Sequence, residues 1–368
     1  MAGALNCMIS STLSHADLLT PYKKLKGSCW KCRPWFVQQL HDGYGRRKHA
    51  IVAAAASSSS SSSSSTTSTT ARPPPNTDYA YMENEDSVKL ACPVCYQPLV
   101  QTGRKGLHPL VVDASSFRCE SCHKPYMSMT GIIDLTISGG AQDLEEALPS
   151  GVALFQNPLL AYVYERGYRD VFDIFNFPGY NEEFKMAQVF LKSAKGGTIL
   201  DVSCGGGGFT QRFLISGDYE TVIASDYSEA MLENCRGFLE KDSAVDSKKV
   251  VLIRADVARL PFATSSLAAV HAGAAIHCWP QPTMSVAEIC RVLKPGGVFV
   301  ASTFLVPIPP SPLAGIFMPI RRTIMQLGLP FQWWTESEVR GITEACGLVG
   351  WQSIRRGAYI VFAVHKPV

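Results

Sequence analysis

The sequence predicts an α/β chain. It reads as a doubly wound seven-stranded sheet, mostly parallel and closed by an antiparallel C-terminal hairpin, with a small cysteine-rich module ahead of it. Three observations carry this. From about residue 150 onward short apolar runs alternate with amphipathic helical text, the first of those runs ends in a glycine-rich bend, and two Cys-x-x-Cys pairs lie upstream.

At 368 residues the chain is long enough for about two folded units. A composition of 46% hydrophobic and 18% charged residues excludes a wholly disordered, collagen-like or polytopic membrane protein. No run of 18 uncharged apolar residues is present, and the stretch Val306 to Ile320 carries five prolines, so no spanning helix is expected. The net charge of +3 hides an asymmetry: residues 1–76 hold nine basic and two acidic side chains, leaving the remainder at −4. A body of that charge lacks the global positive field of a strong non-specific nucleic-acid binder.

Residues 1–76 are basic and acid-poor, with nine consecutive serines from Ser57 to Ser65 and then three prolines from Pro73 to Pro75. Such text cannot bury enough apolar surface to offset its ordering entropy. It lacks the compact apolar core of a secretory signal and reads as a disordered plastid transit peptide and Ser-rich linker, with a processing site near Ile51–Ala54. A disordered cytosolic tail is the alternative.

Residues 85–137 form the predicted cysteine module. Cys92-Pro93-Val94-Cys95 and Cys119-Glu120-Ser121-Cys122 are separated by 23 residues. Each pair sets two thiolates on a tight knuckle, and two knuckles offer the tetrahedral four-sulfur shell that Zn²⁺ accepts. Four cysteines leave no open position, so a structural metal is expected. Redox dithiol chemistry is the rival. The text from Leu90 to Leu99, the second pair, Tyr126 and Gly131–Leu135 resemble the small zinc-ribbon proteins that activate tRNA and protein methyltransferases. A third pair, Cys29 and Cys32, lies in the leader without a partner pair nearby.

Residues 150–368 form the predicted main domain. Strand text runs over residues 198–202, 221–225, 250–255, 267–272, 298–304, 349–354 and 359–364. Helical spacing joins Met231, Leu232, Cys235, Phe238 and Leu239, and again Val286, Ile289, Cys290 and Leu293. The last two strand runs are separated by four residues, too few for a helical crossover, which predicts the hairpin.

The first strand ends Ile199-Leu200-Asp201-Val202-Ser203-Cys204-Gly205, followed by three more glycines. Bare backbone there admits close approach of a ligand. A dinucleotide fingerprint needs a third glycine where Thr210 or Gln211 stands, so that reading is incomplete. An acid just before the glycines repels phosphate and suits a cationic, amino-acid-bearing ligand.

With these residues in view, the text from about Phe155 to Lys366 resembles the Rossmann-like S-adenosylmethionine-dependent methyltransferases. The resemblance implies S-adenosyl-L-methionine as cofactor and assigns its contacts to Asp201, Ser203, Gly205, Gly207, Asp226, Tyr227, Asp256 and Val257. Ser203 stands where most members have glycine. Asp226 matches the acid for the ribose hydroxyls, and Asp256 with Val257 the adenine contact. Glu288–Gly297 matches the helix-to-strand text characteristic of the group.

The segment after the fourth strand, Gly273 to Pro280, lacks the Asn/Asp-Pro-Pro-aromatic text that holds a base amine. His277 is a weak candidate for a catalytic base, weighed against a packed histidine. Residues 305–334 read as an apolar, proline-rich lid that suits a lipophilic small-molecule acceptor or a lipid surface; a lid packed on its own domain is the alternative. The layout also resembles a plant group of uncharacterised chloroplast methyltransferases, of the ubiquinone/menaquinone-biosynthesis type, which implies a plastid and plastoglobule location. The rival functions are a zinc-ribbon rRNA guanine methyltransferase and a non-catalytic binding protein of the same fold.

Overall fold

Strand text that is apolar at every position demands cover on both faces of a sheet. In the computed structural model this is what the chain builds. It describes residues 88–139, 176–246, 249–306, 319–320 and 332–368. The expectations for the leader 1–76, for the helical text at 155–169 and for most of the 305–334 segment lie outside the described residues.

Strand β7 (Val250–Arg254) sends Val250 and Leu252 into one core and Val251 and Ile253 into the other, the period of two that a pleated strand imposes. β5 (Thr198–Val202) divides Ile199 from Leu200 and Val202 in the same way. Helix α4 (Glu229–Glu240) buries Met231, Leu232, Cys235 and Leu239 and starts at Ser228, whose Oγ accepts from the Met231 N–H. Helix α5 (Pro282–Val292) opens on proline and buries Val286, Ile289 and Val292 against the opposite face. Helix α6 (Glu336–Ala345) begins with a reciprocal capping box between Thr335 and Glu338.

The remaining strands of this half are β6 (Thr221–Asp226), β8 (Leu267–Ala272), β9 (Leu293–Phe304), β10 (Val349–Arg356) and β11 (Tyr359–His365). Strands β7, β6, β5, β8 and β9 lie side by side and parallel, and β11 and β10 continue antiparallel beyond β9. Chain order therefore reverses between β5 and β8. In open α/β sheets that reversal opens a crevice at the carboxyl ends of the strands. β9 begins at Leu293 rather than Val298, because Leu293 pairs with Leu267 before the Pro295–Gly297 text shifts the register.

The expected count of seven strands falls short, since the sheet has eleven among the described residues. The difference comes from β1 (Leu99–Gly103), β2 (Ser115–Cys119), β3 (Pro125–Met129) and β4 (Ile132–Asp134). These form an antiparallel meander whose last strand pairs parallel with β7, Ile132 opposite Leu252 and Ile133 opposite Ile253. Short helix α1 (Pro109–Val112) packs on this meander. Phe117, Tyr126, Ile133 and Leu135 join the same buried cluster as Leu200, Phe262 and Ile289. No helix among the described residues is long and apolar enough to cross a membrane.

Because Ile133 is fully buried in that shared cluster, Ile133→Ala should cost about 2–5 kcal/mol of unfolding free energy, read from urea titration. The loss should come in one transition, with tryptophan emission and far-ultraviolet circular dichroism coinciding.

Candidate functional site

Three residues of the bend after β5 have positive φ: Ser203 at 55°, Gly205 at 54° and Gly207 at 87°. A Cβ on Gly207 would stand 2.5 Å from the Cys235 sulfur, so helix α4 itself demands the bare backbone. Beyond the bend follows helix α3 (Gly208–Ser216), which packs on helix α2 (Tyr180–Phe190). Ser203 holds a left-handed conformation without glycine's freedom, at a cost of about 1–2 kcal/mol. Its Oγ accepts a hydrogen bond of 3.0 Å from the Trp279 indole N–H. Leaving such a donor buried and unpaired would cost about 1–3 kcal/mol, which is comparable to the strain.

Asp226 ends β6. One carboxylate oxygen accepts from the Gly205 N–H at 2.9 Å and the other from the Ser228 N–H at 2.9 Å. Burial pushes its carboxyl above the ordinary range, and the Asp201 charge adds to this while the backbone donors oppose it. An ionised carboxylate offers about four lone-pair sites, and with the Gly205, Ser228 and Tyr227 N–H groups on it at least one remains for a ligand diol. Asp256 begins the neighbouring 3-10 turn Val257–Arg259 and caps it through the Ala258 N–H at 2.8 Å. The Asp226 carbonyl accepts from the Ala255 N–H at 3.0 Å, which brings these two strand ends together. Tyr227 lies against the Arg254 guanidinium, and its carbonyl accepts from Arg254 Nε at 3.1 Å. The half-buried acid with spare lone pairs, the bare bend and the Asp256–Val257 turn fit a nucleoside carrying an amino-acid tail.

Two sequence candidates have their polar groups engaged within the fold. Asp201 is 1% exposed, and its two oxygens meet His271 Nδ1 at 2.9 Å and the Thr210 hydroxyl at 2.6 Å. With both oxygens engaged and almost no surface, it holds the bend in place. His277 is likewise 1% exposed, bonded through Nδ1 to the Thr303 hydroxyl at 3.1 Å and tilted against Phe304. It packs on β9. Burial and the Asp226 charge push the thiol of its neighbour Cys278 up to about 12.

The four module cysteines gather as the spacing predicts, with all four sulfurs within 4.8 Å of one another. Cys92 and Cys122 sulfurs are 3.6 Å apart and those of Cys95 and Cys119 are 3.4 Å apart. These separations are far beyond a disulfide of about 2.05 Å. They approach the edge of about 3.8 Å that a tetrahedron with Zn–S of about 2.3 Å requires. The Tyr126 hydroxyl lies 3.1 Å from the Cys92 sulfur.

Sequence reasoning missed the brace between this knuckle and the Asp256 turn. Arg259 donates to the Pro93 and Val94 carbonyls at 2.7 and 3.1 Å. The Tyr96 ring has the guanidinium groups of Arg259 and Arg291 over it at 5.2 and 4.5 Å. Arg291 in turn bonds Glu288 and the Leu260 and Phe262 carbonyls. Glu288 and Arg291 stand inside the Glu288–Gly297 text and Arg259 in the text around Asp256 and Val257, but neither stretch announces the brace.

A family defined as a methyltransferase domain matches residues 200–301. An uncharacterised chloroplastic methyltransferase of Arabidopsis thaliana is 43% identical over 287 residues, 78% of this chain and 80% of that one. A second from the same plant is 42% identical over 284 residues, 76% of this chain and 79% of that one. A demethylmenaquinone methyltransferase of Clavibacter sepedonicus is 36% identical over 118 residues, 32% of this chain and 44% of that one.

Replacing Asp201 by alanine should orphan two buried partners and lower unfolding stability by about 1–3 kcal/mol for each. Asp201→Asn, which keeps a hydrogen-bonding group between them, should lose less in the same urea titration.

Proposed function

The chain belongs to the family of the chloroplastic methyltransferases of Arabidopsis, and on that footing we propose that it is a plastid S-adenosyl-L-methionine-dependent methyltransferase with a small lipophilic acceptor. The observation that carries the cofactor assignment is Asp226, a desolvated carboxylate with unused lone pairs beside the bare backbone of Gly205 and Gly207.

When bound, S-adenosyl-L-methionine supplies a methyl group on a sulfonium already activated for in-line displacement. The chain's own work is alignment and exclusion of water. Asp226 takes the two ribose hydroxyls, and Asp256 with the Val257 N–H takes the adenine edge. The backbone at Gly205 and Gly207 runs beside the amino-acid tail, Ser203 and Tyr227 flank it, and Asp201 holds the bend from beneath. His277 is buried on β9 and is assigned no proton transfer.

A lipophilic acceptor is favoured by the relative named for demethylmenaquinone, by the apolar text of residues 305–334 and by the −4 body, which is unsuited to RNA. The plastid assignment rests on the relatives' names and on the basic, serine-rich residues 1–76, taken as a transit peptide. Plastoglobule lipid is the surface such a chain would meet. The module at 85–137 is assigned one structural Zn²⁺ on Cys92, Cys95, Cys119 and Cys122, ahead of the methyltransferase domain at 150–368.

Offering a radiolabelled methyl donor to plastid lipid and RNA fractions tests the acceptor: label should enter lipid, and label in RNA would overturn the assignment. Removing the Asp226 carboxylate (Asp226→Ala) deletes two charge-assisted hydrogen bonds of roughly 1.5–3 kcal/mol each. Calorimetry with S-adenosylhomocysteine should then show affinity down by about 100-fold or more. In the wild type that affinity should weaken as pH falls through a carboxyl raised above the ordinary range, and Asp226→Asn should abolish this pH dependence. Purified chain should also carry one zinc that survives dialysis and is released as four thiols are titrated with a mercurial.

A further inference from the structure

Ser203 departs from the glycine usual at its position, and the reason lies across the crevice. β5 and β8 are neighbours at the point where chain order reverses, and each ends in a loop that borders the opening. Ser203 is the first residue after β5. Trp279 closes the 3-10 turn Ile276–Cys278 that follows β8. The 3.0 Å bond from the Trp279 indole N–H to Ser203 Oγ joins these two loops.

The segment between them is pinned at both ends. His277 is bonded to Thr303 on β9, and its carbonyl accepts from the Gln332 N–H at 2.7 Å. Trp279 is 3% exposed and packs into the core cluster that includes Ile276 and Trp334. Cys278, held between these anchors, is close enough to Asp226 for that charge to raise its thiol. The loop after β8 is therefore held against the glycine bend.

We propose that the Ser203–Trp279 hydrogen bond latches the loop after β8 onto the glycine bend, and that Trp279 is a positioning residue that sets the acceptor-side wall of the donor site. This rests on the donor assignment made above. A glycine at 203 would adopt φ of 55° without strain, so a serine there is useful only through its hydroxyl. The two roles predict opposite signs. If only the backbone mattered, Ser203→Gly should bind donor as well as the wild type or better. The latch requires it to bind worse.

The test uses the full chain, with S-adenosylhomocysteine as probe in calorimetry and tryptophan emission recorded during the titration. Ser203→Gly should change the thermal midpoint little, since relief of strain and loss of the bond offset, yet weaken binding about 3- to 10-fold, the worth of one hydrogen bond. Trp279→Phe should weaken binding to a similar extent and remove most of the emission change seen on titration. The double variant should be no weaker than either single variant, because the two groups act through one bond. Unchanged or tighter binding by Ser203→Gly overturns the latch, as do additive losses in the double variant. If Trp279→Phe does not fold, the sign of the Ser203→Gly effect decides alone. Wild-type chain that binds no S-adenosylhomocysteine overturns the donor assignment instead, and is read from a different sample.

Discussion

A carboxylate with almost no exposure ties together three elements at the reversal point of the sheet. Asp201 on β5 holds His271 on β8 and Thr210 on α3, and His271 is wedged between Phe209 and Phe213. A buried acid is tolerated only when its lone pairs are engaged, so this group dictates where its partners stand. The bend that follows can then hold positive φ at Ser203, Gly205 and Gly207, since its entry and exit are both fixed. The same charge helps raise the Asp226 carboxyl at the next strand end. One interaction thus shapes both the backbone of the crevice and its electrostatics.

A second set of contacts reaches the same crevice from the cysteine module. Asp134 on β4 pairs with Arg254 at 3.0 Å, and Arg254 supports the Tyr227 carbonyl and ring. Arg259 fastens the Asp256 turn to carbonyls inside the first knuckle. Backbone bonds from the Ala91 N–H to the Pro261 carbonyl and from the Ala263 N–H to the Lys89 carbonyl, each 2.9 Å, extend that seam. The module touches the second and third strand ends with its own polar groups, and its apolar residues enter one of the two cores. Its contribution to the body is therefore both packing and alignment.

What the sequence made legible was local. Strands such as β5 and β8 follow continuous apolar runs, and their bounds come out as read, because a strand covered on both faces has no other composition available. The cysteine set was legible because spacing alone restricts where four thiols can meet. Three things were hidden, and each depends on a partner far along the chain. Asp201 reads as a ligand acid until His271, 70 residues on, uses one of its oxygens. Ser203 reads as a lapse from glycine until Trp279, 76 residues on, needs an acceptor. The strand count came out short because nothing in Ile132-Ile133-Asp134 announces a parallel partner in β7. Residue type says which bonds a group can make; only the fold says which are already taken.

The parallel seam between β4 and β7 has a consequence for how far the amino end of this chain can be trimmed. A cut anywhere upstream of the first cysteine knuckle leaves the sheet guarded. A cut that carried away the meander would strip β7 of its neighbour and lay open a row of unpaired backbone groups flanked by Val250, Val251, Leu252 and Ile253. Such a border invites strand addition from another molecule, and clumping follows. Any shortening that keeps this border covered must stop before that knuckle, by the chemistry of an open sheet margin alone.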